Sequence, residues 1–121
     1  MLLAQATLQR MVLNFGGKFI VLGATESLRG GGNFSAFASA KFALRGLAQS
    51  LTHEYQPAGV HVCHVILDGI IDIFRSPTLH AHDPDKMMKP QDIAETYWQI
   101  AHQPKSTWTH KLDLRPRSEG F

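Results

Sequence analysis

An unbroken apolar run and a second valine- and isoleucine-rich segment lie on either side of one long helical stretch, and that order constrains the fold of this chain more than any other feature. Phe19, Ile20, Val21 and Leu22 follow one another without a polar break, which suits a strand buried on both faces, as in parallel sheets. Residues 60–67, rich in valine and isoleucine and bounded by Gly59 and by Asp68-Gly69, read as a second buried strand. Between them Phe37, Lys41, Leu44, Ala48, Leu51 and Tyr55 recur at helical spacing, with Asn33 or Ser35 available as a cap, until Pro57-Ala58-Gly59 stops the pattern. Strand, helix, strand at this length is the right-handed crossover unit of a parallel sheet, which places the chain in the α/β class.

The flanks extend the same pattern. Leu2, Leu3, Ala6, Met11 and Val12 mix with good helix formers over residues 1–13, and Gly16-Gly17 is the expected stop. Residues 26–33 include Gly30-Gly31-Gly32 and read as a loop, because three successive glycines cost a regular element too much backbone entropy. Residues 70–89 show no sustained period and read as an irregular excursion. Pro90 suits the first turn of a further helix with Ile93, Ala94, Tyr97, Ile100 and Ala101 on its apolar face and Asp92 near its positive end. Finally, Trp108, His110, Leu112 and Leu114 alternate as an edge strand would over residues 108–114. The expectation is one domain over residues 1–121, with about three strands and three main helices.

Charge and composition exclude several classes of function. A formal net charge of +2, with the basic residues scattered, gives little field to steer a polyanion, so nucleic acid is not an expected partner. No run approaches the roughly 20 apolar residues that span a bilayer, and the opening segment has Gln5 and Thr7 and no basic lead-in, a poor signal peptide. A cytoplasmic protein without a membrane partner is therefore expected. Cys63, the single cysteine, lies in an apolar run and reads as a buried inert thiol. His80-Ala81-His82 with Asp83 and Asp85 matches no strong metal spacing, and His61 and His64 on one strand point to opposite faces, so no metal is expected. Trp98 and Trp108 read as core residues.

The segment 17–72 resembles the short-chain dehydrogenase/reductase family, in which a strand ending in serine precedes a glycine loop, a Tyr-x-x-x-Lys helix, a strand and a Pro-Gly turn. Here Phe37-Ala38-Ser39-Ala40-Lys41 occupies the tyrosine-lysine motif, Gly59-Val60-His61-Val62 matches the entry to the next strand, and Asp68-Gly69 stands where Pro-Gly is usual. The phenylalanine and the Leu112-Asp113-Leu114-Arg115-Pro116 ending are similar to a divergent, classical-like branch of the family. The resemblance implies a partial Rossmann-type, doubly wound parallel sheet, the carboxyl-terminal half of the family fold, with the dinucleotide-binding half outside residues 1–121. It also implies an oxidoreductase using NAD or NADP.

Carried over residue by residue, the resemblance leaves a degenerate set. The family tyrosine supplies a proton, its lysine holds the nicotinamide ribose and lowers the phenol pKa, and its serine steadies the carbonyl oxygen. Phe37 has no ionisable group, Ala24 falls at the serine position, and Lys41 alone is retained; Thr25 and Ser27 sit nearby at the wrong register. Asp68, Gly69 and Ile71 form the implied cofactor-side turn, with Ile73 where a threonine is usual. Gly30-Gly31-Gly32 lacks the G-x-G-x-x-G spacing, so NAD or NADP is expected to bind this chain weakly or not at all. The alternatives are a non-catalytic oligomerisation or binding module on the same scaffold, or a gene remnant. The resemblance implies a homo-oligomer through the first and second helices, where Ala38, Ala40, Ala43 and Gly46 permit close approach.

Overall fold

The computed structural model describes residues 2–24, 35–71 and 87–117. Helix α1, Leu2–Leu13, buries Ala4 and Leu8. It ends in a Schellman arrangement: the Phe15 amide donates to the Val12 carbonyl at 3.2 Å and the Gly16 amide to the Met11 carbonyl at 2.8 Å. The left-handed residue this turn requires is Phe15, at φ 66°, one position before the expected glycine stop. Gly16 is fixed for a different reason, because a Cβ there would stand 2.9 Å from the Gly59 carbonyl oxygen.

Strand β1, Gly17–Ala24, runs parallel to β2, Val60–Leu67, in register from Gly17↔Val60 to Ala24↔Leu67. Helix α2, Ser35–Tyr55, is the crossover between them and closes through a short 3-10 turn, Gln56–Ala58. Two-residue strands β3, Ile70–Ile71, and β4, Met87–Met88, pair in parallel. Helix α3, Pro90–Ala101, then leads to β5, Lys111–Leu114, which pairs in parallel with β2 and gives the sheet order β1-β2-β5.

Side-chain alternation on β2 divides the core in two. Val60 and Val62 pack against Leu8 of α1 and Leu51 and Tyr55 of α2. Cys63 and Val65, of opposite parity, pack against Ile100 and Tyr97 of α3 and Leu112 and Leu114 of β5. Helices therefore cover both faces of a parallel sheet, the doubly wound α/β arrangement that the strand-helix-strand pattern implies. The central strand is buried at every residue up to Ile66, its two histidines included. Leu8, fully buried, contributes about 2 kcal/mol by removal from water.

The structure corrects the sequence reading at four places, one of them Trp98, which is 64% exposed on α3 rather than core. The run at residues 19–22 is not buried on both faces: Val21 is buried, but Leu22 is 46% exposed. On that face of β1 Ile20 packs against the Cys63, Val65 and Ile100 cluster, while Leu22, one step further toward the carboxyl end, is not part of it. The last strand begins at Lys111 rather than at Trp108. Trp108 and Thr109 are held by side-chain bonds instead of a ladder, with the Thr109 amide donating to Gln103 Oε1 at 2.8 Å and the Trp108 indole to the Gln103 carbonyl at 3.2 Å. The excursion over 70–89 contains the β3-β4 pair, too short to leave a period in the sequence. The glycine loop at 30–32, Thr25, Ser27, Ile73 and the segment from His80 to Asp85 lie outside the described residues.

Candidate functional site

The register aligns the carboxyl ends of all three long strands: Ala24 is level with Leu67, and Leu67 with Leu114. In open α/β sheets ligands bind beyond this edge. Helix α2 leaves the carboxyl end of β1 and returns to the amino end of β2, so its first turns, carrying Phe37 and Lys41 one turn apart, start at the same edge. Lys41 is half-buried. The sheet thus gathers the Ala24, Lys41 and Asp68-Gly69 positions at one edge.

Asp68 is tied to β5 twice. Its amide donates to the Leu114 carbonyl at 2.8 Å, and its carboxylate lies 3.4 Å from Arg115 Nε, with both side chains largely buried at 13% and 15% exposure. A proline here would have no amide for Leu114 and no charge for Arg115. Gly69 is required by close packing of the chain on itself, since a Cβ would meet Pro116 Cδ at 2.7 Å and Met88 Cε at 3.5 Å. Ile71 pairs with Met88 in the β3-β4 ladder. Among the expected site residues, then, Lys41 has the chemistry to hold a ribose hydroxyl. Asp68 is bound up with Arg115, and the missing side chain of Gly69 makes room for Pro116. The sequence reading missed Arg115; its signal was a cation directly after an apolar strand.

The histidines lie apart from this edge. His61 Nε2–H donates to the Thr109 carbonyl at 2.8 Å. Its ring stacks on Trp108 at 4.7 Å and 4°, with Lys18 Nζ 5.3 Å from the Trp108 centroid. Burial, and secondarily the Lys18 charge, pushes the His61 pKa below its ordinary value against the Thr109 hydrogen bond. His64, on the other face of β2, is also pushed down, by burial first and then by Lys111, Arg45 and His110. The two rings do not converge, and among the described residues no cluster of histidine, cysteine and carboxylate groups could hold a metal. Cys63 is buried and its thiol pKa is pushed up to about 11 by desolvation, the inert state expected of it. No described helix is long and apolar enough to cross a membrane.

A parallel sheet with helices on both faces and its candidate residues at the strand carboxyl ends defines a doubly wound α/β domain. Within that class, the profile of the short chain dehydrogenase family matches residues 1–76. The chain belongs to that family. It is 27% identical over 116 residues to the uncharacterized oxidoreductase YciK of Escherichia coli, covering 95% of this chain and 46% of that protein. A short-chain dehydrogenase structure from Rhodopseudomonas palustris is 39% identical with a TM-score of 0.73, covering 93% of this chain and 44% of the other. An alcohol dehydrogenase from Thermococcus sibiricus, complexed with 5-hydroxy-NADP, shares the fold at 22% identity and a TM-score of 0.78, over 96% of this chain and 48% of its own. The chain spans about half the length of the relatives it matches.

Proposed function

We propose that this chain is the carboxyl-half scaffold of an NAD(P)-dependent oxidoreductase of the short-chain type, acting in the cytoplasm, with a degenerate active site. The observation that carries the reading is the shared edge: Ala24, the start of α2 and Asp68-Gly69 lie where the family's serine, tyrosine-lysine pair and Pro-Gly turn are expected, yet only Lys41 keeps the family chemistry. Phe37 can supply no proton and Ala24 no hydroxyl, so carbonyl reduction would lack both its acid and its oxygen-steadying donor. Incubation of the chain with NADPH and a panel of ketones and aldehydes, followed by nucleotide absorbance, is expected to show no turnover above buffer. A brisk rate that disappears in Lys41→Ala would overturn the degenerate reading.

A second reading, a non-catalytic module that assembles with copies of itself through α1 and α2, is favoured by one feature. Leu3, Leu13 and Phe15, in α1 and the turn that closes it, are 80%, 77% and 96% exposed, and Phe42 of α2 is 40% exposed. Large apolar groups at such exposure are costly unless covered. Light scattering on dilution tests the assembly this reading needs: a dimer supports it, and a cooperatively folded monomer that persists in dilute solution speaks against it.

A further inference from the structure

Behind the Asp68-Gly69 turn lies a cavity of about 450 Å³, within the roughly 300–1,000 Å³ of small-molecule sites. Its apolar lining comes from Met87 and Met88 of β4, Ile93 of α3 and Leu114 of β5. Two of these walls are fixed by the turn itself, since Gly69 closes on Pro116 and Met88. The charged lining is unequal: Lys89, Arg115 and Arg117 oppose Asp92. Asp68 already offsets Arg115. Lys89 and Arg117 are both exposed, and neither forms an ion pair with another described residue. The amino end of α3 adds a partial positive charge to the same wall.

We infer that this cavity binds a small organic anion with an apolar body, a medium-chain carboxylate or a compound of that shape, its acyl part on Met88, Ile93 and Leu114 and its anionic head between Lys89 and Arg117. The apolar lining suits a methylene chain, because burying each CH₂ gains about 0.8 kcal/mol. The excess of cations sets the sign of the head group. Arg115 is a positioning residue: held by Asp68, it fixes the β5 end of the wall without needing to touch the ligand. The inference rests on the geometry of the turn and not on nicotinamide binding, so it survives or fails separately from the oxidoreductase reading.

The test uses the whole chain without nucleotide and titrates hexanoate, hexanol and acetate, read by amide and methyl NMR shifts. Hexanoate is expected to saturate and to shift Met88 and Ile93, with hexanol and acetate each weaker. The double change Lys89→Gln with Arg117→Gln should weaken hexanoate by about tenfold, the worth of one charge-assisted hydrogen bond, leaving hexanol unchanged. Lys105→Gln, on the far end of the sheet, should change nothing. Both variants alter exposed residues, so their melting temperatures should match the parent. Equal binding of hexanol and hexanoate, equal binding of hexanoate by the parent and the double variant, or no saturable binding at all would overturn the inference. A chain that binds hexanoate but no NADPH keeps the cavity and loses the cofactor; the converse loses the cavity alone.

Discussion

Arg115 holds Asp68 at 3.4 Å across the carboxyl ends of β5 and β2, beside the 2.8 Å bond from the Asp68 amide to Leu114. Breaking such a largely buried pair from one side strands the other charge, which costs about 3 kcal/mol. Asp68→Asn keeps the amide bond and loses the charge; Asp68→Pro restores the usual family residue and loses both. Urea unfolding should show both variants destabilised, with Asp68→Pro the worse, at an unchanged slope. A proline variant as stable as the parent would show that the turn does not depend on this staple.

The two buried histidines predict an acid-sensitive fold. Each has a folded pKa below the ordinary value of about 6.5, so the unfolded chain takes up the proton first. Stability is fully present above about pH 6.5 and is lost as pH falls through the folded values, by up to about 1.4 kcal/mol per pH unit for each ring. The charges around them push mostly the same way, Lys18 on His61 and Lys111, Arg45 and His110 on His64, while the Thr109 hydrogen bond opposes at His61 and Asp113 at His64. Urea unfolding midpoints between about pH 5 and pH 7 should fall on the acid side. His61→Phe with His64→Leu should flatten that slope, whatever it does to the stability at neutral pH. A slope unchanged by the double variant would assign the acid sensitivity to carboxylates.

Phe15 occupies a left-handed position at φ 66° with its ring 96% exposed. An L side chain there costs about 1 kcal/mol relative to glycine. Phe15→Gly should therefore stabilise the isolated chain by about that amount in thermal unfolding. If the ring also serves self-association, the same change should weaken the dimer in light scattering. Loss of stability on the change would mean that the ring is covered and contributes more than the turn strain costs.

The central fold was legible because β2 needs burial on both faces, and the valine- and isoleucine-rich Val60–Leu67 segment, bounded by Gly59 and Asp68-Gly69, states that requirement despite His61 and His64. The long crossover helix was legible for a similar reason, its period sustained from Phe37 to Tyr55. Leu22 misled because an apolar run does not say which faces the neighbouring helices reach. The beginning of β5 misled because the alternation from Trp108 continues through residues whose backbone bonds go to Gln103 and His61 instead of a strand. At the candidate site, Lys41, Phe37 and Ala24 were legible only by motif position. The Asp68–Arg115 pair was not, since residues 47 positions apart meet through sheet register alone.

The family scaffold is present, and the nicotinamide site proposed on it is degenerate, with Phe37 and Ala24 at the tyrosine and serine positions. Calorimetric titration of the full chain with NADPH and NADH tests that degeneracy most directly. No saturable binding tighter than about 1 mM, or about −4 kcal/mol, is expected. Saturable binding near 10 µM, about −7 kcal/mol, that is lost in Lys41→Ala would contradict it, because the retained lysine would then belong to a working cofactor site.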